Sequence, residues 1–262
     1  MKYYLLIIIS LVFFSCEEPV AVEDDIGTGT QLPETIIDAM ETFTSSSITL
    51  DWDGNEYTIS YRYKLIPLDY LDTVQTYLQW TDWDTTSMVS FINLDDGLYD
   101  FYIQGRFTSD IEEIARIIPI EVDAIPGPAI RAYPLLRQAS HGEQVNVYIY
   151  AENVESVAFT ELNLSYNPSL LTYNGVARGE LLLNSPIYLD LANSSDGTIS
   201  ISAVADDFTS YVGTGSIAIL SFTTSNLSGT ATITINASSV LIRPDNSQIN
   251  LPDNIHGKIE IE

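Results

Sequence analysis

The sequence predicts an all-β protein built from two consecutive β-sandwich domains, and three observations carry that reading. Thr, Ser, Ile, Val and Tyr are plentiful, and aromatic residues make up 11% of the chain, a composition suited to pleated, half-buried strands. Helix-period segments are scarce, whereas stretches alternating apolar and polar side chains recur; that alternation marks strands with one core face and one solvent face. The alternating stretches fall into two sets on either side of a Pro-Gly segment, AIPGPAI, and 262 residues are enough for two domains of ordinary size.

At the amino terminus, Lys2 precedes an apolar run from Tyr3 to Phe14 that only Ser10 interrupts, and Ser15-Cys16 follows. The run is too short to span a bilayer and has the length of a signal-peptide core. A small residue directly before cysteine resembles the bacterial lipobox. That resemblance implies a lipoprotein signal peptide over 1–15 and lipidation of Cys16. The residues that follow, EEPVAVEDD, resemble the acidic tether of outer-surface lipoproteins of the Bacteroidetes group. The implied location is the outer membrane, lipid-anchored and facing the cell exterior, with the membrane met through the anchor only; several acyl chains would hold it durably. Pro, Gly and acids without periodicity continue to about Glu34, so 16–34 reads as a flexible tether. Fully stretched, its length from Glu17 reaches at most about 60 Å, at roughly 3.3 Å per residue.

Residues 35–123 read as a first β domain. SSSITLDWDG and EYTISYRYKL are alternating strands joined at Asp53-Gly54-Asn55, a turn composition. A polar loop-like segment follows, then the strand SMVSFINL, the turn Asp95-Asp96-Gly97, the strand LYDFYIQGRF and a closing IARIIPIEV. The run Tyr61-Arg62-Tyr63-Lys64-Leu65, Trp80 with Trp83, Val89/Phe91/Asn93/Leu94, and Asp96-Gly97 through Arg106 resembles a fibronectin type III-like module of the triple-tyrosine sort. An immunoglobulin/fibronectin-like sandwich is what that resemblance implies. The segment between Leu65 and Trp80 is longer than in the family pattern.

Two prolines separated by glycine make 124–131 a stiff, bent spacer, and 132–262 form the second domain. In it, Val145, Val147, Ile149 and Ala151 alternate with Asn146, Tyr148 and Tyr150, and Leu162 and Leu164 alternate with Glu161, Asn163 and Ser165. SYNPSLL ends the second of these strands, because Pro168 lacks a ladder donor and Asn167 accepts a turn. Gly142-Glu143, the Val/Ile alternation, Ser165-Tyr166-Asn167-Pro168 with Leu171, and Gly179-Glu180-Leu181-Leu182 stand in an order that resembles the cohesin module. DGTISISAVADD, GTGSIAILSFTT, GTATITINASSVL and GKIEIE continue the resemblance to the end of the chain. It implies a cohesin-like jelly-roll sandwich whose partner is a dockerin-like, calcium-loaded helical protein docking on one sheet face. Carried over by position, the acidic contacts on that face are Glu161 and Asp206. Asn167 departs from the family, which usually has Asp there.

A formal charge of −26 repels nucleic acid, and no Lys/Arg cluster offsets it. With a single cysteine there is no intramolecular disulfide and no thiolate metal cluster. Asp51 to Glu56 looks like a calcium loop, but the required glycine and bidentate acid positions hold Glu56 and Arg62. His141 and His256 sit at predicted turns with no nucleophile paired to them, and no phosphate-cradling loop is present. The expectation is a non-catalytic binding protein with no cofactor and no metal. The alternative partner is a cell-surface glycan stacked on Tyr148 and Tyr150, in the service of a glycan-uptake system; a purely structural adhesin is a third reading.

Overall fold

The structure, a computed structural model, describes residues 34–35, 41–54, 57–68, 76–108, 111–182, 187–193, 196–204, 210–252 and 254–262. Cys16, the apolar run before it, most of the tether and Asp206 lie outside the described residues. Among the described residues the architecture is all-β, with two short 3-10 turns at Thr76–Leu78 and Glu180–Leu182.

The first domain has strands β1 (Glu34–Thr35), β2 (Glu41–Phe43), β3 (Ile48–Asp53), β4 (Ser60–Pro67), β5 (Met88–Phe91), β6 (Gly97–Thr108), β7 (Ile111–Glu112) and β8 (Arg116–Val122). They form one sheet in the order β1-β3-β5 and a second in the order β2-β8-β6-β4, with β7 on β6. Alternation decides what each strand buries. Ile48, Leu50 and Trp52 of β3 point inward between exposed Thr49, Asp51 and Asp53, and Tyr99, Phe101 and Ile103 of β6 do the same. Trp52 is the largest buried ring, packed edge-on to Tyr61 at 5.8 Å and tilted on Phe101 at 6.0 Å.

The second domain has β9 (Ala129–Tyr133), β10 (Leu136–Ala139), β11 (Gln144–Val157), β12 (Phe159–Ser165), β13 (Leu171–Arg178), β14 (Ile187–Asn193), β15 (Thr198–Val204), β16 (Tyr211–Thr224), β17 (Gly229–Ile235), β18 (Val240–Ile242), β19 (Asn254–Ile255) and β20 (Gly257–Ile261). One sheet runs β10-β20-β17-β12-β15-β14, with β18 also on β12; the other runs β13-β16-β11-β9-β19. The two inner faces meet in a single apolar core that includes Val147, Ile149, Leu162, Leu164, Ile201, Leu220 and Phe222.

The quoted motifs are turn chemistry holding these sheets together. Glu143 receives Arg137 Nη2 at 3.0 Å and the Ser140 N–H at 2.8 Å, which ties β10 to the start of β11. Asn167 Oδ1 accepts the Ser169 N–H at 2.9 Å, so the residue that departs from the family still makes the side-chain turn an aspartate would make. Gly179 has to be glycine for space: a Cβ there would lie 2.2 Å from the Ser216 carbonyl oxygen.

Strand β9 begins at Ala129, is buried throughout and pairs with β11. What precedes it is tied down at both ends. Asp96 accepts the backbone N–H groups of Ala124 and Ile125 at 2.8 and 3.1 Å, and Asn153 Nδ2 reaches the Pro126 carbonyl at 3.4 Å. Asp95, 0% exposed, accepts the Leu135 N–H at 2.8 Å and lies 3.9 Å from Arg131 Nη1. Arg131 Nε in turn donates to Glu152 at 2.8 Å, and Thr214 Oγ1 donates to the other oxygen of that carboxylate at 2.5 Å. Burial works against the Arg131 charge, but the Glu152 hydrogen bond and the Asp95 and Asp96 carboxylates outweigh it and hold the guanidinium protonated. Side chains of the first domain thus bond to backbone and side chains of the second.

Candidate partner-binding face

The outer face of the sheet containing β12, β15 and β17 is where the sequence places Glu161. Inward alternation sends Leu162, Leu164, Ile199, Ile201, Ala231 and Ile233 to the core, and the residues between them surface together. Register makes the neighbours explicit. Glu161 stands opposite Ser202 on one side and Val240 on the other, Asn163 opposite Ser200, and Ser165 opposite Thr198 and Thr234. The result is a flat field of hydroxyl and amide groups with an exposed carboxylate among them.

A hydrogen-bond chain fixes part of that field. Ser200 Oγ donates to Asn163 Oδ1 at 2.8 Å, and Asn163 Nδ2 donates to Glu161 Oε1 and to the Ser238 carbonyl, both at 3.4 Å. Ser165 Oγ donates to Asn236 Oδ1 at 3.3 Å, and Ser239 is buried beneath, bonded to the Asn163 backbone. Glu161 itself is held only by the long Asn163 contact and forms no ion pair among the described residues, so its charge is available to a partner. Lys258 of β20 stands opposite Thr232 on β17, two strands from β12 in the same sheet. The companion acid, Asp206, lies outside the described residues; the described part of β15 ends at Val204, paired with Phe159.

Tyr148 and Tyr150 are in the other sheet, on β11, opposite Tyr133 and Arg131 of β9. Alternation placed them outward, and so they are, but their rings are engaged. Tyr133 lies 5.9 Å from Tyr148 and 5.5 Å from Tyr150, and Arg131 sits over the Tyr150 ring at 4.9 Å. Burial raises the Tyr150 phenol above its ordinary pKa, with the nearby Glu180 charge adding to the effect. The pair belongs to the junction between the domains and does not share a face with Glu161.

The two loop tryptophans are engaged as well. Lys64, Trp80, Arg62, Trp83 and Arg106 stack in alternation, with cation-to-ring distances of 5.0 Å for Lys64–Trp80 and Arg62–Trp80 and 4.6 Å for Arg62–Trp83 and Arg106–Trp83. Three of the chain's ten basic residues are spent on those two rings. Asp84 caps its own turn by accepting Thr86 N–H and Oγ1 at 2.9 Å each, and these bonds lower its pKa. His141 meets Ser228 Oγ at 3.2 Å, and His256 Nδ1 accepts the Ile235 N–H at 3.1 Å. Among the described residues no three His, Cys, Asp or Glu side chains gather as a metal site.

Sequence reasoning missed two features. The first is the Asp95–Arg131–Glu152 node. Its visible signal was a lone arginine at the end of a Pro-Gly segment, with an acid at position 152 interrupting an apolar strand. The second is a cleft beside β17 and β18, lined by residues 248–252, 254 and 256.

Residues 137–261 match the Cohesin domain family. Among solved structures, the chain is similar to a non-cellulosomal cohesin from the archaeon Archaeoglobus fulgidus. The identity is 22%, the match covers 51% of this chain and 90% of that one, and the TM-score is 0.45. It is also similar to the third ScaC cohesin of Acetivibrio cellulolyticus, solved with the ScaB dockerin. There the identity is 20%, the coverage 51% and 97%, and the TM-score 0.46. A chain of a type I cohesin–dockerin complex from Clostridium thermocellum matches at 17% identity, covering 51% and 98%, with a TM-score of 0.46. No curated protein matches the sequence.

Proposed function

We propose, from the Cohesin-family match over residues 137–261, that this protein is a non-catalytic binding protein whose second domain docks a dockerin-like protein. The observation that carries the reading is the flat hydroxyl-and-amide face around Glu161. It offers a partner a broad contact surface with one unneutralised carboxylate and requires no chemistry. The carboxylate would accept charge-assisted hydrogen bonds from Lys, Arg or hydroxyl groups of a docking helix. The test is binding of the full chain to type I and type II dockerin domains, with calcium and with a chelator. Glu161→Lys is expected to weaken binding by about 2–5 kcal/mol, the range for a charge contact desolvated at an interface. It should leave the thermal midpoint unchanged, since the side chain is exposed and barely bonded. An affinity loss of only about 0–1 kcal/mol, the range for a solvated rim charge, would put Glu161 at the rim of the interface or outside it and overturn its role as an anchor.

The same reading places the protein on the outer membrane, held by lipid on Cys16 and facing the exterior, where secreted partners would meet it. The apolar run ending in Ser15-Cys16 and the acidic residues after it support this. Cys16→Ala is expected to move the protein from the membrane fraction to the soluble fraction, or to stop its maturation. Normal processing with full membrane retention would overturn the anchor.

A further inference from the structure

We propose that the cleft between the end of β17, β18 and residues 248–252, 254 and 256 binds a neutral oligosaccharide. It is open to solvent and has a volume of about 750 Å³, within the range of small-ligand sites, and it exists because of where the strands part. Strand β17 pairs with β20 only as far as Ile233, opposite Gly257, and then with β12 through Thr234 and Ile235. The preceding residues of the chain, Asn254 and Ile255, have left for the other sheet, where they pair with β9. The gap so opened is spanned by side chains.

Those side chains define the ligand chemistry. Thr234, Asn236, Gln248, Asn250, Asn254 and His256 line the cleft, and none of its described lining residues carries a carboxylate, ammonium or guanidinium. On a chain of formal charge −26, a cleft whose described lining carries no cation disfavours anionic ligands. The set is also mixed in hydrogen-bonding sense. The Ile235 N–H occupies His256 Nδ1, which leaves Nε2 as the ring's donor. Asn254 Nδ2 donates to the Asn236 carbonyl at 3.1 Å, while Asn254 Oδ1 is buried with no donor among the described residues. A sugar hydroxyl both donates and accepts, so a run of them satisfies such a lining where a purely donating or purely accepting ligand would not. Leu251 and Pro252 supply apolar surface for the C–H faces of the rings. The cleft adjoins the Glu161 face at Thr234 and Asn236, yet its chemistry needs nothing from Glu161.

The experiment is calorimetric titration of the full chain with neutral glucan, xylan and mannan oligosaccharides, with an oligogalacturonate as the charged comparison. At least one neutral oligosaccharide is expected to bind and the charged one to bind about tenfold or more weakly. Asn250→Trp, which fills the cleft from an exposed position, and Gln248→Ala are each expected to lower the affinity about tenfold, as lost hydrogen bonds to a buried ligand do. Both should leave thermal unfolding unaltered, and Glu161→Lys should leave sugar affinity unaltered. Failure of every neutral oligosaccharide to bind would overturn the proposal. So would undiminished binding by Asn250→Trp, tighter binding of the charged sugar or of an uncharged peptide, or loss of sugar binding in Glu161→Lys. None of these outcomes bears on whether Glu161→Lys weakens dockerin binding, so the two readings fail separately.

Discussion

Asp95→Ala is expected to destabilise the protein by about 3–5 kcal/mol, the range for removing one member of a buried charged pair. The carboxylate is completely buried, and its loss leaves the Leu135 N–H without its 2.8 Å acceptor and Arg131 with one carboxylate fewer. The effect should also have a place. Asp95 sits at the β5–β6 turn of the first domain, while Leu135 and Arg131 belong to the second, so the substitution loosens the joint more than either core. In the parent protein, protease should spare 124–128, where the N–H groups of Ala124 and Ile125 are bonded to Asp96. In the variant, that segment should become the first site of cleavage, leaving two resistant fragments, and unfolding followed by the fluorescence of Trp52, Trp80 and Trp83, all in the first domain, should separate from unfolding followed at the second domain. Equal protease resistance and one unchanged transition would mean that the node contributes nothing to the junction.

The joint also shows where sequence reading stops. Strands β11 and β12 were legible residue by residue, because Val145, Val147, Ile149, Leu162 and Leu164 alternate with polar neighbours and all five are buried. Glu161 could be placed outward for the same reason. Tyr148 and Tyr150 were correctly sent to the outer face, but alternation says which way a side chain leaves the sheet and nothing about what it meets. What they meet is Tyr133, one strand across, which stands before a proline in a stretch read as the start of a domain. Asp95 reaches Leu135 across 40 residues of chain, and a contact of that span leaves no periodicity for a local reading to detect. The cleft was hidden for a related reason. The side chains of residues 248–252 lie in a stretch rich in Pro, Asn and Asp, and they become a lining with Asn254 and His256 only because β17 and β19 belong to different sheets.

Glu113→Gln is expected to stabilise the protein above neutral pH and to flatten its stability against pH. Glu113 is 6% exposed, between β7 and β8, and neither of its carboxylate oxygens has a hydrogen-bond partner among the described residues. Burial therefore raises its pKa from 4.5 to about 7, and the charge of Arg116 only partly offsets this. The sign follows from proton binding. The unfolded chain releases this proton near the ordinary glutamate value, whereas the folded chain holds it until about pH 7. Below the unfolded value both states are protonated and there is no penalty. Between the two values the unfolded state binds fewer protons, so stability falls as pH rises. Above the folded value the full penalty is present, roughly 2–4 kcal/mol at 1.36 kcal/mol per pKa unit. Tyr61 feels the same carboxylate: its phenol is raised chiefly by burial and next by the Glu113 charge. Denaturant titrations at about pH 5 and pH 8 should show the parent losing stability over the interval and the Gln variant losing less by roughly 2 kcal/mol or more. A spectrophotometric titration of the variant should also bring the Tyr61 phenol down. Parallel pH profiles for parent and variant would show that Glu113 is ionised at neutral pH and solvated in a way its burial does not suggest.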